Sequence, residues 1–406
     1  MSTVVFAYTP IYNPMAPSFR VNPYPDYKRM REVDPVHWYD VVGCWVLTRY
    51  RDIKFVLSDP RFGIALDMLA QAPAIRRAMA EPFQQIIRTQ LLSSDPPDHT
   101  RIRGHIGGPF TPPRVETLRP LIQRVVDERI ECLLAKGRFD FIADFAYAVP
   151  FTIICEVLGI PAPIRQPLER WTHDLMRTTS PIPMTFEETE CSNQAAIGFR
   201  DFFLELAKAQ PTGECAGDLF FQIRDTRNNG QITEEEMIAN LILLFCAGHD
   251  TVVNLFGNGL LALHRNPPQL EMLKEDRSLV RGAVEELLRY DASVQIARRT
   301  ALEWVQVGER WIGPGQYVLC ILGAGNRDPD VFPEPERLDV TRKKVNPLSF
   351  GGGVHYCLGA QLARVEGEIV FSTLLERLPN MQLETLEPEW SDNVFVRGLK
   401  TLWATV

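Results

Sequence analysis

The chain has 406 residues, 45% hydrophobic and 23% charged, an ordinary globular balance that excludes disorder, collagen-like repeats and a membrane bundle. Its 43 basic and 51 acidic residues give a net charge of −8, which excludes a general binder of phosphate backbones, so nucleic acid is not an expected partner. The eight cysteines form no Cys-x-x-Cys pair, and a reducing compartment fits them. No basic residue precedes Arg20, and the apolar run at 4–8 is too short for a signal core or a membrane span, so the expectation is a cytoplasmic protein with no membrane anchor.

In chain order, residues 36–47 read as two short strands around Val42-Gly43, with Trp38, Tyr39, Trp45 and Val46 supplying aromatic and β-branched bulk. At Asp95-Pro96-Pro97-Asp98 a helix is expected to start, with Asp95 as N-cap and Asp98 complementing the dipole. On it His99 and Arg103, four apart, face the same way, and the glycines at 104, 107 and 108 argue that it is short. Apolar residues then recur at helical spacing around 115–135, 195–209 and 233–264. The last opens on Thr233-x-x-Glu236, a capping box, and its apolar run is interrupted by Asn240, His249, Asp250, Thr251 and Asn254, which describes a core helix with a polar spot. Glu286 and Arg289 lie at i and i+3 on one helix face. Residues 299–322 return to β-type sequence with turns at Gly308 and Gly313-Pro314-Gly315, and prolines at 329, 333 and 335 make 328–337 an irregular connection. With no repeat, linker or composition shift, the expected architecture is one domain over residues 1–406, mainly α with small β-sheets (α+β).

The most informative stretch is Phe350-Gly351-Gly352-Gly353-Val354-His355-Tyr356-Cys357-Leu358-Gly359, a lone cysteine where a glycine-rich loop meets a helix. The glycines let amide groups approach the sulfur, and those donors together with the helix N-terminus stabilise a thiolate. The spacing Phe-x-x-Gly-x-His-x-Cys-x-Gly resembles the haem-binding loop of the cytochrome P-450 family, the haem-thiolate monooxygenases. The resemblance implies haem b with Cys357 as its proximal iron ligand, held between this loop and a long distal helix. It implies that His355 donates to a haem propionate and that Phe350 and Gly359 belong to the cofactor's loop. A thiolate pushes electron density onto the iron and favours O–O cleavage.

Other segments match the same family in the same order. Ala247-Gly248-His249-Asp250-Thr251 resembles its oxygen-binding helix, implying that Asp250 and Thr251 deliver protons for activation of O2 and that Gly248 lets the backbone open. Glu286 and Arg289 are expected to join Arg337 in a buried structural network. His99, Arg103 and Arg299 are expected on the propionates, where a guanidinium fork matches a carboxylate. Leu243, Ala247, Gly248, Ile296 and Phe395 are expected to line a pocket for a hydrophobic small molecule. The segments 62–92 and 170–200, expected as loops that choose the substrate, carry no readable code. Electrons are expected from a ferredoxin or flavodoxin, with the Arg342-Lys343-Lys344 run attracting an acidic ferredoxin. The alternatives are a peroxide-driven peroxygenase and a non-catalytic haem carrier or sensor. A zinc site at His355 and Cys357 lacks two of its four ligands.

Overall fold

The computed structural model describes residues 11–64, 79–179, 184–208 and 218–406; the apolar run at 4–8, Cys215 and parts of the 62–92 and 170–200 segments lie outside them. The strands are β1 (Val36–Tyr39), β2 (Cys44–Leu47), β3 (Phe62–Gly63), β4 (Arg138–Asp140), β5 (Ile296–Ala301), β6 (Val305–Val307), β7 (Arg310–Ile312), β8 (Tyr317–Ile321), β9 (Gln382–Leu383) and β10 (Trp403–Thr405). Four helices carry the site: α1 (Asp98–Ile106), α2 (Glu234–Arg265), α3 (Val280–Tyr290) and α4 (Ala360–Arg377).

The two strands expected around Gly43 form an antiparallel hairpin, and the glycine at its turn has φ +65°. The hairpin extends into a five-stranded sheet of order β1-β2-β8-β5-β3, in which β2 and β8 run parallel and the other pairs antiparallel. Strand β5 begins at Ile296, three residues before the expected stretch, and pairs Arg299 with Val318 and Ala297 with Cys320. One face of this sheet packs on Ile53, Val56 and Leu57, and the other on Tyr12, Tyr24, Tyr27 and Met30. Strands β4, β10 and β9 make a second sheet, and β6 and β7 an isolated hairpin.

The larger core is helical, and α2 runs through it for 32 residues, about 48 Å at 1.5 Å per residue. The capping box is formed: Thr233 Oγ1 accepts from Glu236 N at 3.1 Å and Glu236 Oε2 accepts from Thr233 N at 2.9 Å. Among the described residues α2 alone is long and apolar enough to cross a membrane, and its apolarity is used instead against Phe145, Phe199, Phe203 and their neighbours.

Three local expectations are corrected. Helix α1 starts at Asp98, because the Asp95 carboxylate accepts from Ile64 N at 3.0 Å and so ties the chain to β3. It continues through Gly104 and closes where Gly107 N donates to Arg103 O. Within the segments expected as loops, Pro82–Thr89 and Phe186–Lys208 are helices, packed on each other and on α2.

Candidate active site

The loop before α4 is shaped by close backbone approach. Gly351 and Gly353 have φ of +69° and +65°, and a Cβ on Gly353 would lie 2.2 Å from Leu57 O, so no side chain fits there. Cys357 N donates to Phe350 O at 2.9 Å, and the Gly359 amide donates to the sulfur one residue before α4 begins. Burial pushes the Cys357 thiol pKa up, while the Gly359 amide and the Arg103 and Arg364 guanidiniums pull it down. Cys357 nevertheless keeps accessible surface, so a group enclosed by protein on most sides still opens onto a cleft. Arg364 stacks over the Phe350 ring at 4.5 Å and pairs with Glu285.

Beside this loop the structure gathers four nitrogen-rich side chains from three segments. The rings of His99 (α1) and His355 lie 4.4 Å apart, and both nitrogens of His99 and Nε2 of His355 are buried without a protein partner. Burial followed by the Arg299 charge holds His355 down to about 4, and burial with Arg103 lowers His99. With His355 neutral, its 3.9 Å approach to Asp95 is not an ion pair. Arg299, 4% exposed, donates to Arg298 O at 2.8 Å, and Arg103 Nη2 donates to Tyr356 O at 2.8 Å; among the described residues neither has a carboxylate within ion-pair distance.

Helix α2 carries the second group of candidate residues. Most of the helix is buried all round, but Leu243 and Thr251 are partly open and Ala247 is exposed, an i, i+4, i+8 stripe on one face. Thr251 Oγ1 donates to Ala247 O at 3.1 Å, which leaves its lone pairs free to accept. Asp250, one residue away and therefore turned aside, has its pKa pushed up to about 6 by burial, opposed by His173. The helix is unbroken at Gly248, where a Cβ would lie 3.0 Å from Ile154; the expectation that the backbone opens there is corrected. His249 is enclosed by Tyr147, Phe151 and Phe245 and held down to about 4 by burial.

Two further placements differ from expectation. Ile296 is 4% exposed and packs in the cluster of Tyr12, Tyr24 and Tyr27, on the strand face opposite Arg299; Ala297, on the side of Arg299, is the half-open residue. Phe395 is half-buried against that same cluster, and its carbonyl accepts from Gln295 N at 2.8 Å. Glu286 and Arg289, both fully buried, pair through two 2.7 Å bonds, but Arg337 is exposed and faces Glu334. The third guanidinium is that of Arg342, whose Nε lies 3.1 Å from Glu286 Oε2, while Arg337 gives only its carbonyl, to Arg289 Nη2 at 3.1 Å. Arg342 is thereby withdrawn from the solvated run in which it was expected.

Cytochrome P450 107B1 of Saccharopolyspora erythraea is 37% identical to this chain over 388 residues, 93% of each. The chain belongs to the cytochrome P450 family. The family's model, described as cytochrome P450, matches residues 198–384. The P450 monooxygenase PikC of Streptomyces venezuelae is 35% identical over 95% of this chain and 91% of its own. The solved structure of CalO2 superimposes with a TM-score of 0.89 at 30% identity, covering 97% of this chain and 98% of its own. That of P450BioI with an acyl carrier protein gives 0.88 at 31% identity, covering 96% and 100%.

The protein is therefore a P450 monooxygenase, an oxidoreductase whose cofactor is haem bound through a cysteine thiolate. The chain's own atoms fit that group. A sulfur receiving an amide hydrogen bond opens onto a cleft. Two histidines with unpartnered buried nitrogens and two guanidiniums without carboxylates stand beside it, a donor set suited to two propionates. Sequence reasoning missed Arg364 and Ala297; the first is the fifth residue of α4, about one turn into the helix, and reaches back over Phe350 of the loop.

Proposed function

We propose that Cys357 is the axial ligand, that His99, Arg103, Arg299 and His355 hold the haem propionates, and that Phe350 and Gly359 frame the sulfur. When bound, the haem supplies activation of O2 and insertion of one oxygen atom into a C–H or C=C bond. The protein's part is positional and electrostatic. The Gly359 amide and the Arg103 and Arg364 charges favour the anionic sulfur against the burial that opposes it. Thr251, its own proton committed to Ala247 O, accepts a hydrogen bond from water at the distal side and orients it. Asp250, whose pKa burial raises to about 6, holds a proton more readily than an ordinary carboxyl and passes it toward that water. Glu286, Arg289 and Arg342 brace the loop from behind.

The substrate is proposed to be a hydrophobic small molecule, since Leu243, Ala247 and Ala297 offer apolar surface broken by Thr251. Relatives at 32% and 36% identity are named for polyketide biosynthesis and for vitamin D(3) 25-hydroxylation, different substrates that keep this reading at the level of class. The electron donor is proposed to be an acidic ferredoxin or a flavodoxin. A cavity of about 590 Å3 between α3 and α4 is lined by Arg119, Arg281, Arg342, Lys344 and Arg364 against Glu285 and Glu368, and this basic surface, which takes in two residues of the 342–344 run, is the proposed docking ground. The whole chain is read as one catalytic unit acting in the cytoplasm.

The observation that carries this reading is the sulfur of Cys357 under the Gly359 amide, beside the orphaned ring nitrogens of His99 and His355 and the guanidiniums of Arg103 and Arg299. The reduced, carbon monoxide-bound protein is expected to show the thiolate-ligated spectrum, and Cys357→Ala to lose it. A Cys357→Ala protein with an unaltered spectrum overturns the assignment. A screen of apolar compounds read by the haem spin state narrows the substrate, and turnover driven by peroxide alone, with none from O2 and reductant, would favour the peroxygenase alternative.

A further inference from the structure

A band of polar side chains runs away from Thr251 along α2 and does not serve the site as described. Asn254 and Asn258 follow Thr251 at i+3 and i+7 on one face of the helix, a span of about 10 Å. Asn254 Nδ2 donates to Asp250 O at 3.1 Å, and its carboxamide rests on Gly398 so closely that a Cβ there would lie 1.8 Å from Asn254 Oδ1. Asn258 Nδ2 donates to Arg397 O at 3.0 Å, but its Oδ1 is buried without a partner. Beyond it, under the chain at 393–398, four more buried polar atoms have none: Ser293 Oγ, Gln295 Oε1, Tyr27 Oη and Arg20 Nε.

Leaving one such group dry costs about 1–3 kcal/mol, and five in one region are not tolerated unless water reaches them. A small cavity of about 20 Å3, enough for one water, joins Arg20, Tyr27, Gln295, Asn393, Arg397 and Gly398. It therefore touches the surface, where Arg20 pairs with the exposed Asp392 at 2.6 Å, and also the glycine on which Asn254 sits. Gly398 is the narrow point: only a residue without a side chain leaves Asn254 its place.

We propose that these groups line a water conduit. It enters beside Arg20 and Asn393, passes Tyr27, Gln295 and Ser293, and reaches Thr251 by way of Asn258 and Asn254. The conduit supplies water to the distal side from beneath the C-terminal loop, separately from Asp250, which faces His173. This rests on the reading of Thr251 as the distal water acceptor. Asn254 is a positioning residue in it, not a catalytic one.

The test uses the haem-loaded protein. Its crystal structure is expected to show ordered water within hydrogen-bond distance of Ser293 Oγ, Gln295 Oε1, Tyr27 Oη and Asn258 Oδ1. Exchange of pocket water with bulk, read from the relaxation of water protons by the ferric iron, is expected to slow severalfold in Gly398→Ala and in Ser293→Ala, which removes only the hydroxyl, with the thiolate spectrum retained. Polar atoms that are dry in the crystal overturn the proposal. So does unchanged exchange in both variants, even with water present, because the waters are then isolated. Loss of the thiolate spectrum in the unmodified protein would instead sink the reading of the site.

Discussion

Arg342 Nε lies 3.1 Å from Glu286 Oε2, and this contact completes the charge cluster that Arg289 begins on the same carboxylate. Glu286 and Arg289 have no exposed side-chain surface. Removing one cation leaves a buried carboxylate short of compensation. Arg342→Gln is expected to lower stability by about 2–4 kcal/mol and to weaken haem retention. Arg337→Gln, at an exposed position facing Glu334, should stay within about 0.5 kcal/mol. Denaturant unfolding of both variants, read from secondary structure and from the haem band, checks the pair. Equal losses would return Arg337 to the cluster.

Thr251→Ala removes the hydroxyl that stands over the cleft without taking away a packing contact of any size. Haem content and reductant consumption are expected to stay near those of the parent, while most of the electrons leave as hydrogen peroxide and product falls by about tenfold or more. The ratio of peroxide to product at fixed reductant measures this. Full coupling in the variant would exclude Thr251 from orienting water.

Asp250 loses its proton as pH rises through about 6, because burial has raised it from the ordinary carboxylate range. Coupling in the parent is expected to be best at and below that value and to decline above it. Asp250→Asn should give low coupling that no longer varies across it. A parent and variant with parallel pH profiles would assign the dependence elsewhere.

Glu366, buried on α4 with Oε2 unpartnered, is pushed up to about 8 by burial, from an ordinary 4.5. A carboxylic acid raised in this way binds its proton more tightly in the folded state. Its contribution to stability is complete below 4.5, declines between 4.5 and 8, and is lost above 8. Glu366→Gln cannot ionise, so unfolding midpoints of parent and variant are expected to agree near the acid end of that window. They should separate in favour of the variant by up to a few kcal/mol at the alkaline end. A gap that is constant with pH would mean that the carboxyl is ionised in the folded protein.

The cysteine loop, the Asp250-Thr251 pair and the capping box of α2 were legible because each is local. The glycines, the sulfur and the next helix lie within a dozen residues, and backbone geometry over that span follows from residue type. The long helix and the hairpin at 36–47 were readable for the same reason, through apolar spacing and a turn glycine. What the linear order did not contain was which of several equivalent charges reaches a given partner. Arg337 and Arg342 are both arginines in an irregular, proline-bearing segment, and only the path of that segment past α3 turns Arg342 inward. Ile296 and Ala297 are neighbours with opposite faces, and the register of β5 against β8 decides which one stands with Arg299. Helix position alone did not tell that a side chain at Gly248 would meet Ile154, or that Asp95 ties down β3 rather than capping α1. Sequence by itself determined the chemistry, because reactive groups and their immediate donors are adjacent in the chain. Tertiary structure decided the partners, because a side chain's direction across tens or hundreds of residues depends on packing that no short pattern encodes.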